Sequence, residues 1–339
     1  LLLLATAAPA VWLAWTWRRS AFAPVSLVLL GVAALPVIAM IDRGNSAGFA
    51  VPFLLGFALF AGKDPPWLAP AFVTAAALVR PPFILLALGL VALARWRQAL
   101  AAVGAFAAVT LASFLLTAGG PVAGLSSWRA NLTGFRGAGD LTLGDNANIS
   151  MARGVVMVGE WLAQGPSSIG SFGRWLTVSA IAYPLGVVAV VAAAFLLLVL
   201  AAGASMPRSI AVFVPLAIAG TASTASPSYY LVFALVIAAL VIGSRVAGGP
   251  RPGDLDAEAS SGRAAAAWRW LLLAAVTLSI VPLPLGGGTV VPGQPGSAWV
   301  HSWVLRHIAV VWLVVIAAGI CAVFADTLWR RARQARSIP

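Results

Sequence analysis

Apolar runs close to the length of a membrane crossing recur along almost the whole chain, parted by short basic turns. A crossing helix needs about 20 mostly apolar residues, and a run of that length with few charges has no ordinary place in a soluble domain. Only 9% of the 339 residues are charged and 61% are hydrophobic, against about 25% charged in a typical soluble protein. The mean hydropathy of +0.99 points the same way. The expected class is all-α: a polytopic integral membrane protein with nine transmembrane helices and a broken or re-entrant helical hairpin.

The nine runs fall at about 1 to 17, 23 to 41, 47 to 62, 99 to 118, 175 to 202, 209 to 223, 229 to 243, 270 to 286 and 307 to 327. Between the third and fourth stand WLAPAFVTAAALV and FILLALGLVALA, divided by Arg80, Pro81 and Pro82. Each half is short for a crossing, and proline breaks a helix while holding the residue before it extended. Non-helical backbone at membrane depth survives where protein or a wet cavity satisfies it, so the break marks a cavity. With a hairpin here, 14 of the 21 cations gather on one face, among them Lys63, Arg95, Arg97, Arg208, Arg330 and Arg331. By the positive-inside rule that face is cytoplasmic. A single crossing would instead invert everything before residue 63.

Three divisions follow. Residues 1–243 form a transmembrane core with an external segment at 121–174, rich in Gly, Ser and Asn. Within that segment NISMARGVVMVGEWLAQ reads as an interfacial amphipathic helix. Residues 244–267 have the Pro, Gly, Ser and acidic content of a cytoplasmic linker, and 268–339 hold the last helices and a basic tail. The opening LLLLATAAPAVWLAWTW precedes Arg18 and Arg19. A secretory signal carries its charge ahead of the apolar run, so this is read as a membrane helix of a fragment whose earlier part is missing.

Several chemistries are excluded. A net charge of +12 would suggest nucleic acid in a soluble protein, yet these cations flank apolar runs and report orientation. The single Cys321 and two His leave no disulfide framework and too few ligands for zinc or di-iron sites. No phosphate-binding loop, dinucleotide fingerprint or nucleophile motif occurs in a fitting context, so no cofactor or metal is implied.

Rare charged and polar residues at helix ends are the informative ones, because polar groups near lipid are costly unless paired or wetted. In IDRGNSAGF, Asp42, Arg43 and Asn45 form either a polar rim for a headgroup or a tight turn at Gly44. Arg80 suits phosphate, since guanidinium binds oxyanions bidentately and keeps its charge when buried; snorkelling to the interface is its other reading. Asp140, Asp145, Asn146 and Asn148 offer acceptors and amides to a substrate, or simply make Asx turns. Ser226, Pro227, Ser228, Tyr229 and Tyr230 shape a site or belong to an aromatic belt. Trp299, His301, Trp303, Arg306 and His307 read as interfacial anchors, with sugar stacking or acid-base work as the rival.

Taken in order, these pieces resemble the polyprenol-phosphate-sugar-dependent membrane glycosyltransferases of glycosyltransferase family 87, in the wider C-type superfamily. Asp42-Arg43-Gly44-Asn45-Ser46 stands where that family ends a helix with a polar turn. Arg80-Pro81-Pro82 through Arg95-Trp96-Arg97 stands where a basic residue, usually Lys, precedes an apolar run. Asn146, Asn148 and Ser150 match its Asn-rich external segment, and Ser226 to Tyr230 its SP-x-S element, with Tyr230 where histidines are usual. The likeness spans about residues 1–243. It implies transfer of a sugar, mannose or arabinose, from a polyprenyl-phosphate donor to a lipid or glycan acceptor on the non-cytoplasmic face of a bacterial plasma membrane. Arg80 and then Arg43 would hold the donor phosphate. Asn45, Asp145, Asn146, Asn148, Ser226, Tyr229 and Tyr230 would line the substrate site. The resemblance places the catalytic base upstream of Leu1, or at Asp42 in a complete chain. A secondary transporter, a lipid flippase and a non-catalytic relative remain open readings.

Overall fold

Proline and glycine positions cut the apolar runs into shorter helices than their lengths suggest. In the computed structural model of the chain, residues 1–18, 20–42, 44–117, 119–137, 148–202, 206–223, 228–246, 263–281 and 303–336 are described. Among them every regular element is helical. The first run is divided into α1 (Leu2–Thr6) and α2 (Ala8–Thr16), the second into α3 (Phe22–Gly31) and α4 (Leu35–Asp42), which bend by 46° where they meet. A 3-10 turn at Ser46–Ala50 leads into α5 (Val51–Phe60), and α6 (Leu68–Val79) returns beside it. Then come a 3-10 turn at Pro81–Leu86, α7 (Ala87–Ala92), α8 (Trp96–Leu115) and α9 (Gly120–Gly137). The remaining helices are α10 (Met151–Ala163), α11 (Ser167–Ala182), α12 (Pro184–Ala202), α13 (Arg208–Thr221), α14 (Val232–Val246) after a 3-10 turn at Ser228–Leu231, α15 (Arg263–Ile280) and α16 (Trp303–Arg336).

Three helical stretches among the described residues are long and apolar enough to cross a membrane: Trp96–Leu115, Pro184–Ala202 and Arg306–Ala325. The bent pair α3 and α4 makes a fourth when taken together. Shorter apolar helices, among them α6, α13 and α14, complete the bundle.

The run expected as one helix over 175–202 is divided. Tyr183 leaves helical geometry at φ −130° and ψ 60°, ending α11, and Pro184 opens α12. Proline lacks the N–H that would continue the ladder and biases its predecessor away from helix. The segment 121–174, expected to be external, is largely helical among its described residues, which α9, α10 and the start of α11 occupy. The amphipathic stretch is indeed helical as α10, but its apolar face is buried within the bundle and packs on α11 and α16.

The helices around the break form the core. Phe60 stacks on Phe72, with ring centroids 5.8 Å apart, and so ties α5 to α6. Gly89 of α7 lets α13 approach: a Cβ there would stand 2.6 Å from the Ala211 carbonyl oxygen and 2.9 Å from the Phe57 ring. On the far side Trp268 of α15 donates its indole N–H to the Val315 carbonyl of α16 at 3.0 Å. Trp312 donates to the Ser279 hydroxyl at 3.0 Å and meets Phe233 edge to face at 4.7 Å. These two buried indoles thus have partners for their one polar atom.

Candidate functional site

The segment between Lys63 and Arg95 goes out and comes back. Arg95, just ahead of α8, donates from Nη1 to the Lys63 carbonyl at 3.0 Å and from Nη2 to the Gly62 carbonyl at 2.6 Å. The two ends of the segment are therefore bonded to each other, which is the hairpin arrangement. Its outward arm is α6, about 18 Å long for 12 residues at 1.5 Å rise. At the turn stands Arg80.

Local sequence explains how Arg80 is held. Pro81 disfavours helix at the residue before it, and Arg80 is accordingly extended, with φ −149° and ψ 112°. Its N–H still donates to the Ala76 carbonyl at 2.9 Å, while its own carbonyl accepts from Phe83 at 3.0 Å. Arg80 is thus the C-cap of α6, where the helix end carries about half a negative charge that favours a cation. The side chain turns inward and is only 8% exposed. Its guanidinium lies over the Tyr230 ring, 3.1 Å from the centroid, with Phe83 at 5.9 Å.

Tyr230 arrives from 150 positions away in sequence, in the short turn that precedes α14. That turn packs against α4, whose last residue is Asp42, and the turn at Ser46–Ala50 packs on α6. Two of the regions singled out from sequence, the helix ending in Asp42 and the hairpin tip with Arg80, therefore both touch the Tyr230 turn. Asp42 is exposed there. Gly44 has φ +57°, the left-handed conformation that its lack of a Cβ permits. Asn45 is spent locally, its side-chain oxygen accepting from the Ala47 N–H at 2.9 Å to cap the following turn.

Asn148 belongs to a different neighbourhood. It is buried, and its side-chain oxygen accepts from the Ser150 N–H at 2.9 Å. Ser150 in turn caps α10 by accepting from the Arg153 N–H at 3.2 Å. Arg153 is 4% exposed, and its Nη1 lies 3.9 Å from Glu160 Oε2 across two turns of α10. This buried cation was not singled out by sequence reading. The first turn of α10 is buried all round, Arg153 together with Met151, Ala152 and Gly154.

Arg43, Asp140, Asp145, Asn146, Ser226, Pro227, Trp299 and His301 lie outside the described residues, and Ser228, Tyr229 and Trp303 are described in backbone only. Arg306 is exposed and His307 half-buried at the start of α16.

At the opposite end of the hairpin, cations meet backbone. Besides Arg95, Arg208 at the start of α13 donates to the Leu59 carbonyl at 3.4 Å. Lys63 feels Arg208, its pKa held below the ordinary 10.5 by partial burial and by that like charge. No group of His, Cys, Asp and Glu among the described residues is arranged to hold a metal ion. In comparisons with known proteins, no family model, curated protein or solved structure matches this chain.

Proposed function

We propose that the chain is a multi-pass membrane glycosyltransferase that moves mannose or arabinose from a polyprenyl-phosphate donor to a lipid or glycan acceptor on the non-cytoplasmic face of a bacterial plasma membrane. In this reading its shorter helices complete nine crossings in bent or broken pairs, and the segment 64–94 is a re-entrant hairpin. The single observation that carries the proposal is the contact of Arg80 with Tyr230. The two residues come from separate pieces of the sequence that the family resemblance assigns to one substrate site.

The chemistry suits that pair. The acceptor hydroxyl oxygen attacks the anomeric carbon, the bond from that carbon to the phosphate oxygen breaks, and the polyprenyl phosphate leaves with the electron pair. A cation held in a water-poor site stabilises the charge that gathers on the departing phosphate. Arg80 has the required permanent charge and planar donor fork. Tyr230 holds the guanidinium close, its ring centroid 3.1 Å from the Arg80 Cζ. The hydroxyl proton goes to a carboxylate base; within this chain Asp42 is carried by the helix that packs on the Tyr230 turn. An apolar cavity of about 340 Å³, lined by residues that include Leu29, Leu30, Val241, Leu272 and Val276, runs beside α14 and offers room for lipid chain.

The test is label transfer from radiolabelled polyprenyl-phosphate-mannose or polyprenyl-phosphate-arabinose to a mixed glycolipid acceptor, with the protein in lipid nanodiscs. Transfer that falls at least about tenfold in Arg80→Ala, equal to about 1.4 kcal/mol of lost transition-state stabilisation, supports the reading. Full transfer by that variant removes Arg80 from the site. A folded protein that uses neither donor overturns the proposal in favour of a transporter, a flippase or a non-catalytic relative.

A further inference from the structure

The pair α10 and α11 has a surface that the transfer reaction leaves unused. The short turn from Gln164 to Pro166 parts the two helices, and they pack along each other through glycine. A Cβ at Gly173 would stand 2.6 Å from the Gly159 carbonyl oxygen, and one at Gly159 would meet the Thr177 hydroxyl. Gly170, Gly173 and Ala180 are thus the buried face of α11. Its outward surface is divided. On one flank Ile169, Phe172 and Trp175 are exposed, and the last two rings stack with centroids 5.7 Å apart. On the other flank Ser167, Ser171 and Arg174 are exposed. There the Ser171 hydroxyl donates to the Ser167 carbonyl at 2.8 Å and accepts from Arg174 Nη2 at 3.1 Å. Past Trp175, the exposed Val178 and Ile181 carry apolar surface on to Tyr183.

Length decides where α11 lies. The helix that follows it, α12, has 19 residues and rises about 28 Å, which fills the roughly 30 Å hydrocarbon core by itself. The 16 residues of α11 add about 24 Å. Set upright and end to end, the two would reach about 52 Å, beyond the roughly 40 to 45 Å of a whole bilayer with its headgroups. Nor does α11 have the composition of the crossing stretches or of the shorter apolar helices, and Arg174 at its middle is a charge that hydrocarbon penalises. Water suits it no better, since a contiguous exposed apolar strip marks a contact surface. We propose that α11 lies along the headgroup layer at the start of α12, with Ile169, Phe172 and Trp175 dipped into lipid and Ser167, Ser171 and Arg174 turned to water. The bilayer surface is the occupant of the apolar flank because that flank runs on through Tyr183 into the exposed Leu185 and Val190 of the crossing helix. Sequence alone puts an interfacial helix at α10; that helix is buried, and α11 is the one that faces out. The placement is independent of the glycosyltransferase reading and needs only that α12 crosses.

Depth measurement tests it. Single cysteines are introduced by Ser167→Cys, Ile169→Cys, Ser171→Cys and Phe172→Cys in a Cys321→Ala background, which removes the exposed native thiol. The full chain is placed in phosphatidylcholine nanodiscs and spin-labelled, and each label's relaxation is compared between oxygen, which concentrates in lipid, and a water-soluble nickel chelate. Labels on Ile169→Cys and Phe172→Cys are expected about 5 to 10 Å below the headgroup boundary, and those on Ser167→Cys and Ser171→Cys in water. All four positions are exposed, so the labels leave the packing of α11 on α10 intact, and the Ser167–Ile169 pair repeats the reading of the Ser171–Phe172 pair. Equal depth at Ser171→Cys and Phe172→Cys overturns the proposal: both in water means that α11 stands clear of the membrane, and both in lipid means that it is part of the crossing. Shielding of the Ile169→Cys and Phe172→Cys labels from both relaxants overturns it too, since protein and not lipid would then cover that flank.

Discussion

The two ends of the hairpin hold arginine in opposite ways. At the base, Arg95 spends its N–H edge on the Gly62 and Lys63 carbonyls, which closes the loop in space. At the tip, the Arg80 guanidinium lies over the Tyr230 ring. A carbonyl engages in-plane donors and makes the arginine part of the framework, whereas an aromatic ring holds the cation through its quadrupole. The same side chain is thus held by hydrogen bonds at one end and by a cation–π contact at the other. The difference is decided by what surrounds it, not by its identity.

Breaking the hairpin itself should have the largest effect. Gly89→Val places a branched side chain against the Ala211 carbonyl and Phe57, both within 3 Å of a Cβ. Overpacking of this kind is expected to cost about 3 kcal/mol and to lower the thermal midpoint in nanodiscs severely. Next comes Arg95→Ala, which strips two carbonyls of their donor and should cost about 2 kcal/mol, visible as a lower midpoint and faster proteolysis between residues 60 and 96. Arg80→Ala, by contrast, should lose more in transfer than in stability, and a larger stability loss than that of Arg95→Ala would erase the distinction between the two ends.

Tyr230 sharpens the comparison. Tyr230→Phe keeps the ring and should behave within about 0.5 kcal/mol of wild type, while Tyr230→Ala should lose about 2 kcal/mol, the scale of a desolvated cation–π contact. Thermal unfolding and Arg80-dependent transfer read the pair. If Phe and Ala behave alike, the phenol hydroxyl and not the ring carries the contact.

The smallest effect concerns Lys63. Its pKa is lowered by burial and by Arg208, so the folded protein binds fewer protons than the unfolded chain between the lowered value and the ordinary 10.5. Stability from this group therefore rises as pH rises through that window. Lys63→Met should remove the rise, giving a midpoint that changes less between pH 7 and pH 10 than that of wild type. A steeper rise in the variant would contradict the assigned cause.

Much of this was legible in the chain itself. The apolar runs and basic turns already spell an all-helical protein made for lipid, because transfer free energy depends on composition and run length alone. The proline pair after Arg80 announced a break, and the clustering of Lys63, Arg95 and Arg208 on one face followed from counting charges between runs. Tyr183–Pro184 held the same kind of signal, yet the flanking hydrophobicity hid it, since hydropathy is blind to the missing N–H that ends α11. Asn45 and Asn148, expected as substrate ligands, each also hold a local bond, Asn45 to the Ala47 N–H and Asn148 to the Ser150 N–H, because a short amide bonds its own backbone when the following residues turn.

What the sequence by itself determined was the solvent of this protein and the places where its helices stop, both local properties of residue type and spacing. Only the tertiary structure decided that Tyr230 covers Arg80, that Arg95 closes the hairpin on Gly62 and Lys63, and that Arg153 is buried. Those contacts join residues far apart in the chain, and their free energy depends on which helix faces come together, which no local pattern encodes.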